Sequence, residues 1–454
     1  MADNDDLIGH VTQLALANFR VSGRPMPLPV IHALAEIKAS VAAANGRFSA
    51  ETGVDAEMAQ AIHSAALEVA GGQWDEHFAI DAFQTGSGTS TNMNVNEVIA
   101  ALASRRLPGR LVHPNDHVNA SQSTNDAFPT AIRVAALVHT RDVLLPGLRA
   151  LGDALGDRSA AFAQVVKAGR THLMDASPVT LGQEFGGYQA QIAAAIERIE
   201  TAMARLAAVP LGGTATGNGL NCPAAVAAAA IDDLAARTGL PLTPARNRFA
   251  AQGSQDDIVE FSGQLRVAAV AAFKIANDIR LLASGPRTGL GEINLPELQP
   301  GSSIMPGKVN PILCEVVTQV AAQVIGHDAA IAFAGTQGTL ELNTYLPVIA
   351  VNLLDAISLL GRATSDFAAR CVAGIEADEG RCRTLAELSP SVATALNLVI
   401  GYDAATEVVR QALDERRSVR DVLLERRLLT PAQIDAALDL DTMAVGNPQA
   451  ERAD

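Results

Sequence analysis

Charge is scarce in this 454-residue chain: charged residues make up only 18%, against ~25% in an ordinary soluble protein. Hydrophobic residues reach 48%. That balance excludes disorder, coiled-coil rods and collagen-like structure for the chain as a whole. With so little charge to cover a surface, some apolar area is expected to be hidden between subunits as well as inside one, which favours a homo-oligomer. At ~150 residues per domain the length suggests about three domains.

Basic residues are the minority among the charges. The 34 Lys and Arg against 49 Asp and Glu give a net charge of −15, with no Lys/Arg block, so an electrostatic footprint for nucleic acid or an anionic membrane is missing. An anion would be bound only through a local, preorganised site. The four cysteines, Cys222, Cys314, Cys371 and Cys382, contain no C-x-x-C pair and no zinc spacing, which fits incidental thiols in a reducing compartment and no disulfide framework. No apolar run approaches ~18 residues, and the amino terminus is acidic where a targeting peptide would be basic. A cytoplasmic protein without a membrane segment is expected. No dinucleotide fingerprint, P-loop or metal cluster occurs, so no cofactor is implied.

Helical stripes dominate what is present. Ile192, Ile196, Ile199, Met203 and Leu206 step by three and four residues, as do Phe261, Leu265, Ala268, Ala272, Ile275, Ile279 and Leu282. Leu144, Leu148, Leu151 and Leu155 repeat the pattern, then Val317, Val320 and Val324, then Leu353, Ile357 and Leu360. Such spacing puts each set on one helix face, and the alanines between them allow close helix packing. Gly- and Pro-rich interruptions at 86–91, 113–125, 169–178, 211–223 and 285–311 read as polar loops around a bundle, where a composite site could form.

The most informative interruption is Gly301-Ser302-Ser303-Ile304-Met305-Pro306-Gly307-Lys308-Val309-Asn310-Pro311. Its glycines and Pro306 allow movement. Asn310 reads as an N-cap and Pro311 as a first helical residue, so Lys308 and Asn310 sit where free N–H groups and the positive helix end favour an anion.

This segment resembles the signature of the fumarase/aspartase superfamily, and the chain as a whole resembles its class II fumarases. Four further segments carry the likeness in the family's order: Gln84 to Asn94 with Thr85-Gly86-Ser87-Gly88-Thr89, His113-Pro114-Asn115-Asp116 with Ser121 to Asp126, Gly169-Arg170-Thr171-His172-Leu173, and Gly212-Gly213-Thr214-Ala215. The similarity runs from about Thr12 to about Tyr402. It implies a mainly α fold of three domains, 1–122, 123–378 and 379–454, with a central long-helix bundle. Four such chains would assemble as a homotetramer whose active sites are shared between subunits.

The implied chemistry is an anti elimination from a substituted succinate, or its reverse. Removing a C–H proton beside a carboxylate puts a second negative charge on that carboxylate, so donors must be aimed at the dianion beforehand. By resemblance Ser302 is the base, Lys308 steadies the dianion, and His172 works with Glu315 on the departing or attacking water. The positions matching substrate contacts are Ser87, Gly88, Thr89, Ser123, Thr124, Asn125, Thr171, Ser303, Val309 and Asn310, a cradle of hydroxyls and amides for a small dicarboxylate. The reading is a metal-independent hydratase acting on fumarate and malate. An aspartase-like amine lyase is the alternative, disfavoured by Gly307 before the lysine and by Thr85-Gly86-Ser87-Gly88.

The stretch Arg110 with His113, Pro114, Asn115 and Asp116 matches a second anion-binding region. His113, Asp116 and His117 also invite a metal reading, which Pro114 and the lack of a helical H-x-x-x-H setting disfavour. Several positions depart from the family pattern: His10 and Leu14 after a shortened lead, His117 for an aspartate, Asn218 within Gly217 to Asn221, and Thr344 for valine. These bear on substrate choice and regulation.

Overall fold

The computed structural model describes residues 7–301 and 304–445. It is mainly α: among the described residues strands occur only as four two-stranded pairs. The helical stripes are where the spacing predicts them. Every member from Phe261 to Leu282 is buried in the helix Asp256–Leu282. In the helix Leu181–Leu206 the fully buried face is Ile192, Ala195, Ile199, Ala202 and Leu206, while Ile196 and Met203 sit at its half-buried margin.

Two helices, Ile312–Gly335 and the one beginning at Leu346, are long and apolar enough to cross a membrane, with mean hydropathy 1.3 and 1.5. The sequence shows no unbroken apolar run there because Glu315, Thr318, Gln319, Gln323, His327 and Asp328 interrupt the first stretch and Asn352, Asp355 and Ser358 the second, without lowering the mean far. The core helices of helical proteins pass the same length-and-composition test, and 61% of the second stretch is buried within this one chain.

The chain divides into two compact units. The first comprises Met1–Pro146, Ala195–Val270 and Gln319–Arg362. At its centre the helix Leu28–Arg47 packs against the helices Ala56–Ala70, Thr124–His139 and Ala224–Thr238. Alanine spacing lets these helices approach closely, and Val30, Ile31, Leu34 and Ile37 fill the space between them at 1% exposure or less.

The second unit comprises Gly147–Ala194, Ala271–Thr318 and Ala363–Asp454. Its strands Val166–Thr171 and Met174–Thr180 pair antiparallel, with a register shift between Ala168 and Gly169. The helix Glu379–Leu388 packs on the first strand. A small core of Val392, Leu396, Val408, Val422, Leu423, Ile434 and Leu440, reaching Val166, closes the carboxyl-terminal end. The sequence reads 169–178 as a loop, but the structure makes it a hairpin. A two-residue hairpin turn of type I′ needs positive φ at both positions, usually signalled by Asn-Gly. Here His172 (φ 55) and Leu173 (φ 61) adopt it, and neither residue type announces it.

Candidate active site

In the first unit the hydroxyls and amides expected to hold substrate sit at the starts of two helices, Thr89–Arg105 and Thr124–His139, joined by the Asn92–Thr124 hydrogen bond. Ser87 is buried, its Oγ 2.7 Å from Oγ1 of Thr89 at the start of the helix Thr89–Arg105. Gly88 precedes that helix in a left-handed conformation. The Leu346 N–H donates to the Gly86 carbonyl at 3.0 Å, which sets this loop against the turn holding Thr344.

Ser123 caps the helix Thr124–His139, its Oγ accepting from the Asn125 N–H at 3.2 Å. Thr124 is buried, and its Oγ1 accepts from Asn92 Nδ2 at 3.0 Å. Asn125 is half-buried and donates from Nδ2 to the Ala215 carbonyl at 2.8 Å. Pro129 has no N–H to offer the Asn125 carbonyl within the helix.

Beneath this cluster lie two ionisable groups that sequence reasoning passed over. Asp126 is 0% exposed. One carboxylate oxygen accepts from the Ser123 N–H at 2.9 Å, the other from the N–H groups of Gly212 and Thr214, each at 2.9 Å. Burial pushes its carboxyl up to about 6 even against those bonds. Lys38 is also fully buried, with Nζ 3.4 Å from Asn119 Oδ1 and 3.3 Å from Gln122 Oε1. Burial lowers its ammonium to about 7, opposed by the negative charge of Asp126. The pattern Ser-x-x-Asp signals a helix cap, but nothing in it signals a partner in the Gly212–Ala215 loop.

In the second unit the hairpin presents Thr171 and His172, both exposed. The strand behind them is anchored by charge. Arg170 donates from both terminal nitrogens to the Glu292 carboxylate at 2.9 Å each, and Glu292 is 0% exposed. Lys167, also buried, lies 2.9 Å from Glu184 and 3.4 Å from Glu292. Burial raises the Glu184 carboxyl, against the pull of Lys167.

Glu315 is exposed in the first turn of the helix Ile312–Gly335. Among the described residues His172 and Glu315 are not hydrogen bonded to each other, so the single chain does not assemble the pair. Ser302 and Ser303 lie outside the described residues. Either side of them the loop is drawn together at its base: a side chain at Gly301 would place its first carbon 1.8 Å from the Lys308 carbonyl oxygen. Asn310 Nδ2 donates to the Gly301 carbonyl at 2.8 Å. This corrects the capping expectation, because the helix begins at Ile312 and the Asn310 side chain serves the loop instead. Lys308 and Val309 are exposed, and with Gly307, Arg280, Ser284 and Asn294 they line a cavity of about 500 Å³.

The second anion region is folded onto itself. Arg110 is held by Asp55 and, at 3.0 Å, by Glu57. His113 Nδ1 accepts the N–H groups of Asn115 and Asp116 at 3.3 and 3.1 Å, and His117 Nδ1 accepts the His113 N–H at 2.8 Å. Both imidazoles thus spend Nδ1 on backbone donors. Pro114 opens the single helical turn Pro114–Val118 between them, with Asn115 and Asp116 exposed. Among the described residues no three His, Cys, Asp or Glu side chains come together in a way that could hold a metal ion.

Comparison with known proteins gives the family. The family described as Lyase matches residues 2–326, and the Fumarase C C-terminus family matches residues 392–445. The chain is 52% identical to the class II fumarate hydratase of Corynebacterium glutamicum over 439 residues, 95% of this chain and 92% of that one. It is equally similar to the class II fumarate hydratase of Mycobacterium tuberculosis, at 52% identity over 95% of this chain and 91% of that one. The crystal structure of class II fumarase from Schistosoma mansoni superposes with a TM-score of 0.94 at 37% identity, covering 98% of this chain and 97% of that chain. With a fold that superposes over nearly its full length and half its residues shared with such relatives, the chain belongs to the class II fumarate hydratase family.

Proposed function

We propose that this chain catalyses the reversible anti hydration of fumarate to L-malate. The observation that carries the reading is 52% identity across 95% of the chain with relatives named class II fumarate hydratase. In the malate-to-fumarate direction a Ser302 alkoxide takes a proton from the methylene carbon, and the electron pair passes into the adjacent carboxylate as an aci-carboxylate dianion. Lys308, Asn310 and loop N–H groups stabilise that charge before it forms. The electron pair then returns as the carbon–carbon double bond, and the hydroxyl leaves as water with a proton delivered through His172, which Glu315 orients. Ser87, Gly88, Thr89, Ser123, Thr124, Asn125, Thr171, Ser303 and Val309 hold the two carboxylates.

The same reading makes the protein a cytoplasmic homotetramer whose sites are shared, with segments near Asn125, His172 and Lys308 contributed by different copies. The domain division at Gln122 and Asp378 belongs to it, as does an anion-binding role for Arg110, His113, Pro114, Asn115 and Asp116. Support for assembly comes from apolar side chains left at the surface of single long helices: Val267, Val270 and Phe273 on one, Val316, Ile325 and Phe333 on another. Only 33% of the most apolar stretch of the helix Ile312–Gly335 is buried within one chain, so this face is suited to a second copy.

The test is turnover of purified protein followed by fumarate's ultraviolet absorbance, with L-malate and L-aspartate compared as sources. Malate is expected to be the faster substrate, and faster release from aspartate would overturn the reading. Ser302→Ala is expected to lower kcat by about a hundredfold or more while the oligomer persists by light scattering. Unchanged turnover would remove Ser302 from the mechanism.

A further inference from the structure

A capping-box acid needs one oxygen, turned back to the N-cap N–H. Asp126 uses one oxygen that way, on Ser123, and commits the second to Gly212 and Thr214, 86 and 88 residues along the chain. Those two N–H groups converge because Gly212 (φ 84) and Thr214 (φ 54) are both left-handed, which makes a small backbone nest for an anion. The occupant of that nest is the protein's own carboxylate. Behind the loop Gln252 is fully buried and donates from Nε2 to the Thr214 carbonyl at 2.8 Å. A side chain at Gly213 would place its first carbon 2.1 Å from Gln252 Oε1, so no larger residue fits the clasp undisturbed.

The far end of the loop meets the substrate-binding segment. With Gly212 and Thr214 pinned by Asp126, the Ala215 carbonyl is set to accept from Asn125 Nδ2, and that bond decides which end of the Asn125 amide remains for a ligand. The chain of contacts therefore runs from Asp126 through the loop and back to the residue one before it.

We propose that Asp126 is a positioning residue for substrate binding, holding the Gly212–Ala215 loop so that Asn125 meets the dicarboxylate in the correct orientation. This deepens the fumarate and malate reading above and rests on it. Asparagine cannot substitute, because three N–H donors converge on two oxygens and an amide offers only one acceptor atom. Asp126→Asn turns an N–H₂ group towards either Ser123 or the loop.

The experiment is steady-state kinetics of full-length Asp126→Asn with L-malate and fumarate, alongside Asn125→Ala and the double variant. A merely structural role lowers the active fraction, so kcat falls while KM stays the same. A positioning role that loses uniform binding raises KM instead, here by about tenfold. Because Asp126 acts through Asn125, the double variant is expected to have the KM of Asn125→Ala alone. If Asp126→Asn fails to fold, Gln252→Leu frees the same loop from its other side and is expected to raise KM in the same direction. An active wild type with unchanged KM in the folded Asp126→Asn protein, or in Gln252→Leu where that is the variant used, overturns the proposal. So do effects of Asn125 and Asp126 that simply multiply. A wild type that does not turn over malate overturns the functional reading, and this proposal with it.

Discussion

Two polar turns in this protein are held from behind by opposite means. The Ser123–Asn125 segment rests on a single buried carboxylate that satisfies backbone N–H groups, with a buried ammonium nearby. The His172 turn rests on side-chain charge: Arg170 against Glu292, and Lys167 against Glu184 and Glu292. Backbone donors have fixed directions, so the first device sets the path of two loops to within a hydrogen bond. An ion network tolerates small displacements but leaves a large desolvation cost beneath it. The difference matches what each turn presents. The first presents a half-buried amide whose orientation matters, the second an exposed imidazole on a hairpin tip with left-handed backbone at two non-glycine residues.

The largest expected effect lies in the ion network. Arg170→Leu strips Glu292 of its bidentate partner and leaves a fully buried carboxylate whose remaining ionic partner among the described residues is Lys167 at 3.4 Å. A loss of about 3 kcal/mol is expected in urea unfolding, with most of it regained in the Arg170→Leu/Glu292→Leu double variant. A double variant no more stable than the single one would mean that packing, not charge, holds the hairpin.

Next is the pH response of the other device. Among the described residues the charged and titratable groups around Asp126 include Lys38, Cys222 and Arg248, with Cys222 pushed up to about 11 by burial and by the Asp126 charge. Protonating Asp126 costs the clasp an acceptor, so activity is expected to fall as pH drops through about 6. Lys38→Met removes the ammonium that favours the carboxylate, so the acid limb of the kcat/KM profile should move to higher pH, by about one unit. A limb that stays put would show the two groups to be independent.

The stability signs follow from the same shifts. Asp126 has a folded value above its ordinary 3.8, so its contribution to stability falls as pH rises from about 4 to about 6. Lys38 has a folded value below its ordinary 10.5, so between about 7 and 10.5 the unfolded chain binds more protons and stability rises with pH. That second slope should be missing in thermal melts of Lys38→Met.

The smallest expected effect tests the tightness of the clasp. Gly213→Ala presses on the end of the Gln252 side chain, with the Pro210 carbonyl oxygen 3.1 Å away. A cost of about 1 kcal/mol is expected in denaturant unfolding, since the amide end can shift slightly. No change would mean that the loop is looser than the one around His172.

Much of the architecture was legible from local pattern. The stripe from Phe261 to Leu282 repeats with the helical period, and a residue's place on a helix face depends only on that period. The signature loops were legible too, because glycine, serine and asparagine clusters are readable without knowing their partners. The hairpin at His172 was not, since its turn lacks the usual residue types. The Asn310 side chain was misread as a cap because its acceptor, the Gly301 carbonyl, is supplied by a loop closing on itself. Asp126 could be seen as a cap residue, but its second oxygen has partners 86 and 88 residues away.

What the amino-acid order determined alone is therefore five of the helices with their buried stripes, and the inventory of chemistry-bearing side chains, all consequences of backbone geometry within a few residues. Which donors meet which acceptors was left to the tertiary structure. Asp126 found backbone N–H groups and Arg170 found Glu292, while Arg110 was taken up by Asp55 and Glu57. A buried charge or amide is satisfied by whatever the folded chain brings within about 3 Å, and that proximity has no signature in sequence spacing.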